Sequence, residues 1–392
     1  MKKLSLGLLA LSLLFSNSLS ASETADTPEH RSLVEYIAKK DLPEMVNIDL
    51  HMRSSFNVNP NAEGDDNAAY FRFDHLMIDI HGHITDKLSY KYLQRLNKSG
   101  QTFRFEKLSN TIDYAYLKYR FHPKASVTVG RQALFFGGFE YDEYPVNIYD
   151  YSTIGGHIDC FLTGASVMFN PTPTQEIGVQ VVNNRHGSST EAYGAVPPGM
   201  QSTRVPLYYS FAWNGNFRND NIRLRYAVTA GEQMKGKWIL MIGGGQRFYF
   251  DKFDIYLDAI YHRAAVDHLG AIRSIGIMPD GTAWNGLIRN VEYLSVISEA
   301  NYRFLPKWNI RAKVFYDRAS VYKDYAIFTK GNYLSGWGCQ GGIEFYPMKD
   351  DNLHLFLNAT GKLYKEINGK PLQNPDDSFR LSLGFIYRLP VL

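Results

Sequence analysis

Residues 76–96 read LMIDIHGHITDKLSYKYLQRL. Leu76, Ile78, Ile80 and Ile84 fall on one side of the first segment, and Met77, Asp79, His81 and His83 on the other. Successive side chains of a strand point to opposite faces, so this segment turns one face to an apolar medium and the other to water. Thr85 and Asp86 leave room only for a tight turn before the next strand candidate.

The same period of two runs outward from this hairpin. Upstream, VNIDLHM sets Val46, Ile48, Leu50 and Met52 against Asn47, Asp49 and His51. Strands are expected near 45–56, 70–84, 87–97, 111–121, 126–136, 158–169, 174–184, 207–217, 221–231, 237–250, 253–265, 288–304, 307–318, 332–347, 352–364 and 378–391. Soluble sheets use strands of roughly five or six residues, whereas about 9 to 11 cross a membrane at a tilt. Most of these segments reach the longer range.

The connections alternate in length. TD after Ile84, HPKA, NPTPT, FRND, DK after Phe250, LP after Phe304 and MKDD are short; NVNPNAEGDDNAA, 135–157, 185–206, 266–287 and KEINGKPLQNPDD are long. Nothing in a soluble sandwich enforces that alternation, but an outer-membrane barrel has short periplasmic turns and long outer loops. The fold class is therefore all-β: a 16-stranded antiparallel transmembrane β-barrel, wide enough to hold an aqueous channel. A closed sheet also pairs every backbone group where no water reaches. Tyr114, Tyr116, Tyr119, Tyr208, Tyr209, Tyr256, Tyr261, Tyr316 and Tyr387 are expected in interfacial girdles.

The N-terminus adds the route. Lys2 and Lys3 precede LSLGLLALSLLF and the small-residue segment SNSLSA, the pattern of a secretory signal peptide over 1–21. A short periplasmic helix is expected over 22–43 and the barrel over 44–392. Removing Lys2 and Lys3 from the 42 basic residues leaves 40 against 39 acidic ones, so charge gives no argument for a nucleic-acid partner. With 27 Tyr and 24 Phe the chain is aromatic-rich, yet its mean hydropathy is −0.28. Cys160 and Cys339 are too few for a disulfide framework, and their strands, the sixth and fourteenth, stand too far apart to bridge.

VTVGRQALFFGGFEYDEYP, YSTIGGHIDCFLTGASVMFNPTPTQEIGVQVVNNR and WGCQGGIEFYP resemble the porin O and P family, the phosphate-selective porins, in the form found in Bacteroides-like bacteria. The likeness covers essentially the whole mature chain. It implies a sixteen-stranded outer-membrane barrel, commonly trimeric, that passes small polar or anionic solutes passively amid outer-membrane lipid and lipopolysaccharide, with no cofactor. The C-terminus, RLPVL, departs from the aromatic ending of many such barrels.

In such a barrel the third long connection folds inward and narrows the lumen, and 135–157 is the third. Gly137, Gly138, Gly155 and Gly156 permit its reversals, Phe135, Phe136, Phe139 and Pro145 can pack on the wall, and Glu140, Asp142, Glu143 and Asp150 are expected to face water. Parity assigns to the lumen the basic residues Arg53, Lys91, Arg95, Arg223, Arg225, Arg311, Lys313, Arg380 and Arg388, with Asp49, Asp79, Asp254, Asp258 and Asp317. A basic wall facing an acidic loop gives a transverse field with mild anion preference. The dense arginine ladder of the family's phosphate-specific members is incomplete here.

His75, His81 and His83 share a face with Asp79 and could hold a metal, but histidines on a wet wall account for them. GxSxG, HExxH and P-loop motifs are absent. Two other functions fit less of the pattern: a barrel anchoring surface-binding loops, and a secreted all-β hydrolase or lectin.

Overall fold

A computed structural model describes residues 45–62 and 67–392. The signal peptide expected over 1–21 and the helix expected over 22–43 lie outside the described residues. Sixteen strands close into one antiparallel barrel: β1 Asn47–Val58, β2 Ala69–Thr85, β3 Leu88–Arg95, β4 Ile112–His122, β5 Ala125–Ala133, β6 Phe161–Thr172, β7 Gln175–Asn183, β8 Leu207–Phe217, β9 Ile222–Met234, β10 Lys237–Phe250, β11 Phe253–Val266, β12 Arg289–Leu305, β13 Trp308–Val321, β14 Gly331–Phe345, β15 Leu353–Tyr364 and β16 Ser378–Pro390. Each pairs with its neighbours in sequence, and β16 closes on β1 with Asp49 opposite Pro390 and Val58 opposite Leu381. Short turns gather at one end and long loops at the other. The chain end fastens the seam, with Ile48 N–H donating to Leu392 O at 2.8 Å.

Polarity is inverted relative to a soluble protein. Leu240, Ile242, Leu257, Val314, Trp337, Leu355 and Leu383 are exposed on the outer wall, while Asp49, Arg53, Asp79, Asp258, Lys313, Asp317 and Glu344 are buried within. Monomeric soluble proteins rarely expose apolar patches beyond a few hundred Å². An apolar belt on this scale is stable only against hydrocarbon. No helix among the described residues is long and apolar enough to cross a membrane; the strands do it instead.

The tyrosine expectation needs correcting. Tyr119 and Tyr209 are exposed, but Tyr208 and Tyr256 are buried and Tyr114 and Tyr116 line an internal cavity. Their parity places these four inside, where they meet loop side chains. Cys160 and Cys339 are both free.

Candidate functional site

The third long loop, L3 (134–160), crosses the interior. Gly137 (φ +70°) and Gly138 (φ +97°) start it against the wall: a Cβ on Gly137 would stand 2.6 Å from the Gly243 carbonyl oxygen, and one on Gly138 would meet the Asp258 carboxylate at 2.9 Å. Only glycine combines this approach with a left-handed backbone. Asp258 on β11 then accepts from the Phe139 and Glu140 N–H groups, at 2.7 and 2.8 Å.

From there inward side chains hold the loop almost residue by residue. Lys313 on β13 pairs with Glu140, both side chains fully buried, and donates to Asp150 O at 2.9 Å. Arg53 on β1 donates to Val146 O and Ile148 O (2.9 and 2.6 Å). Arg311 donates to Asn147 O at 2.6 Å and to Glu299 at 2.8 Å. Asp150 lies 3.5 Å from Arg380 and 3.3 Å from Lys362, and Asp317 accepts from Thr153 N–H at 2.6 Å. Tyr149 donates to Glu344 and Tyr144 to Asp79, each at 2.7 Å.

The interior is therefore not evenly filled. A cavity of about 670 Å³ separates L3 from the wall of β3 to β5, with Lys91, Arg95, Asp113, Tyr114 and Tyr116 on the wall and Tyr141, Asp142, Glu143, Tyr144 and Tyr151 on the loop. Tyr116 and Asp142 also line a cavity of about 320 Å³ reaching Lys118, Glu176 and Asn214. Glu143 borders another of about 650 Å³ at the turn end, with Arg247 and Arg303. The first of these, between L3 and β3 to β5, forms a slot; the second adjoins it toward β9, and the third lies against β10 to β15 at the turn end.

Of the basic residues assigned to the lumen, Lys91 and Arg95 line this slot. Lys91 lies 3.0 Å from Asp79 and donates to the Tyr144 hydroxyl (2.6 Å), and Arg95 donates to Asp113 (2.7 Å). Arg53, Arg311, Lys313 and Arg380 point inward but are taken up by the loop. Arg225 lies 3.7 Å from Asp142, Arg223 stacks over Tyr249 (4.8 Å to the ring centre), and Arg388 holds Asp49 at 2.8 Å. Asp254 is 3.2 Å from Arg247, which also holds Glu143 at 2.8 Å.

Glu140 departs from expectation: it does not face water, because the Lys313 ammonium draws it into the wall. Burial pushes its carboxyl up, against the pull of Lys313. Asp142, its side chain exposed and 3.7 Å from Arg225, keeps the water-facing role. Arg247, Tyr144 and Lys362 were not singled out from sequence. A signal for the loop's path was present: in 243–245, GGG, a Cβ on Gly243 would sit 1.7 Å from the Phe136 carbonyl oxygen. Glycine inside a strand marks such a close backbone approach.

His81 rests 3.3 Å from Asp79, His75 stands opposite Arg53 in the register and His83 is exposed; among the described residues no three His, Cys, Asp or Glu are grouped to hold a metal. One GxGxxG spacing does occur, GWGCQG at 336–341, but it lies inside β14. A dinucleotide site needs that motif at a strand-to-helix turn.

Solved structures share the fold. The outer-membrane channel DcaP of Acinetobacter baumannii superposes with TM-score 0.61 at 13% identity, covering 88% of this chain and 96% of that one. OmpF of Salmonella typhi, solved with daunomycin, gives TM-score 0.56 at 13% identity over 88% and 97%. The anion-selective porin from Comamonas acidovorans gives 0.56 at 8% over 88% and 99%. No curated protein matches the chain. The family model for phosphate-selective porin O and P matches residues 46–389, nearly the whole barrel. A closed sixteen-strand wall, a loop sewn across its lumen and a match of that extent converge on one conclusion: the chain belongs to the phosphate-selective porin O and P family and is an outer-membrane channel.

Proposed function

We propose that the protein is a passive diffusion pore for small hydrophilic solutes, with mild anion preference, and that L3 is its constriction. The observation that carries this reading is the slot between L3 and β3 to β5. Lys91 and Arg95 stand on its wall and Asp142 and Glu143 on the loop, so charges of opposite sign face each other across a narrow aqueous gap. Low-dielectric walls focus such a field, which orients dipolar solutes. The acids offset much of the basic charge, so ion preference stays weak and phosphate receives no dedicated cage.

In this reading the turns face the periplasm and the loops the outside, the outer wall meets lipid and lipopolysaccharide, and three copies associate after export by the signal peptide. Single-channel conductance in a planar bilayer under a salt gradient tests it. Stable steps with a small anion-favouring reversal potential are expected, and the Lys91→Glu, Arg95→Glu double variant should reverse its sign. Insertion without conductance would leave the barrel as an anchor for surface-binding loops.

A further inference from the structure

Beside the slot, at the loop end, lies a second chamber of about 460 Å³ that touches the slot's cavity at Phe103, Ile158 and Asp159. That volume is in the range of small-molecule sites, about 300 to 1,000 Å³. Its floor is apolar: Phe136, Leu162 and Met241, all buried. Polar groups set into its walls lack partners. Asn184 donates through Nδ2 to Glu232 O at 2.8 Å, but its Oδ1 has none. His262 Nδ1 and His268 Nε2 share one hydrogen bond of 3.0 Å, and the opposite nitrogens, His262 Nε2 and His268 Nδ1, have no partner.

The histidine pair has a defined chemistry. A neutral imidazole carries one donor and one acceptor nitrogen. Whichever ring donates in the shared bond, that ring's free nitrogen is an acceptor and the other ring's a donor. The pair therefore offers one donor and one acceptor, and Asn184 adds an acceptor across an apolar floor. The two free nitrogens lie on the far sides of the hydrogen-bonded rings, so one group cannot bridge them; a hydroxyl, which can donate or accept, satisfies either one whichever tautomer is present, and a second hydroxyl satisfies Asn184. Charged residues also line the walls, but Arg185 is taken up by the Gly187, Gln233 and Thr203 carbonyls, Glu191 by Ser188 and Asp159 by His186, and Arg104 is exposed at the rim, so no charge stands on the floor.

We propose that this chamber binds a neutral amphipathic alcohol or phenol, an aromatic or aliphatic body with hydroxyl groups at its ends, and holds it beside the entrance to the slot. The site is independent of the permeation reading, so binding and conductance report on different claims.

The test uses the full-length protein in detergent, titrated calorimetrically with 4-(2-hydroxyethyl)phenol, with glucose and benzoate as comparators. Saturable binding at one site is expected, weakened about tenfold in His262→Leu and in Asn184→Ala, with little binding of glucose, which lacks the apolar body, or of benzoate, which adds a charge. Unchanged conductance certifies that each variant is folded. If either variant fails that check, Leu162→Trp, which fills the floor, serves instead and should abolish binding. Absence of saturable binding, equal affinity in the variants, or equal binding of the comparators would overturn the proposal and leave the chamber to water.

Discussion

Replacing Lys313 by methionine keeps most of the side-chain volume and removes the one partner that the Glu140 carboxylate has among the described residues. The carboxylate is fully buried; its Oε1 bonds only Lys313 and its Oε2 bonds nothing. Breaking a buried pair from one side costs about 3–5 kcal/mol, because the remaining charge is left uncompensated. Asp150 O keeps Gln340, at 2.7 Å, as a donor, so the loss concentrates on Glu140. Replacing both partners with apolar residues of similar size removes the uncompensated charge, and such exchanges are often neutral. Lys313→Met should therefore lower unfolding stability by about 3–5 kcal/mol, and the Lys313→Met, Glu140→Leu double variant should return to within about 1 kcal/mol of the parent. Reversible urea unfolding into lipid vesicles, followed by tryptophan fluorescence, gives the stabilities, and single-channel noise gives the loop's state. If the single variant matches the parent, or the double variant is as unstable as the single, the reasoning that Lys313 and Glu140 pin the loop fails.

Three further outcomes follow from the same geometry. Gly243→Ala drives a Cβ against the Phe136 carbonyl oxygen, at 1.7 Å without relaxation, so L3 must leave the wall; larger or noisier conductance is expected, and an unchanged trace would contradict the loop's path. Asp142→Asn should raise anion preference at pH 7.5, because it removes an exposed carboxylate that faces Lys91 and Arg95 across the slot; an unchanged reversal potential would contradict that placement. At the loop end, Glu106 contacts Arg131 at 2.5 Å and His186 at 2.8 Å, and His186 also bonds Asp159. Burial would raise the Glu106 carboxyl, but hydrogen bonds from His186 and Asn183 and the charges of His186 and Arg131 hold it at about 2; burial would lower His186, but hydrogen bonds to Asp159 and Glu106 raise it above 6.5. The acid's contribution is complete above about 4.5 and fades toward pH 2, while the histidine's is complete below 6.5 and fades as pH rises through its folded value. Amide protection factors in residues 96–111, with the intrinsic pH dependence of exchange divided out, should be highest between about pH 4.5 and 6.5 and lower on both sides.

Alternation made the wall legible in sequence, since membrane and lumen impose opposite demands on adjacent residues. The eighth strand was expected over 207–217 and is Leu207–Phe217. Errors cluster where loop packing overrides the pattern: the fifth strand stops at Ala133 rather than 136 because Leu134 and Phe136 join the buried core, and the sixth starts at Phe161 rather than 158 because a 3-10 turn, Gly155–His157, precedes it. Parity said which side chains point inward but not which of them stay free. Arg311 and Lys91 look alike in sequence, yet the first is bonded to the loop backbone and the second lines the slot. That difference depends on the path of L3, a tertiary fact that only the glycines at 243–245 hinted at. The histidine pair was invisible for the same reason, because His268 lies on a loop that returns over β11.

An empty cylinder of hydrogen-bonded strands resists stretching around its circumference, but it can flatten, because a change from circle to ellipse bends the sheet without breaking a bond. L3 is bonded to β1, β2 and β3 on one side and to strands between β9 and β16 on the other. It therefore works as a cross-tie, carrying lateral load through the lumen. Flattening would have to pull Arg53 or Asp258 from its backbone partners, so the width of the slot is set by the same bonds that keep the cross-section round, and bilayer pressure from outside changes neither alone.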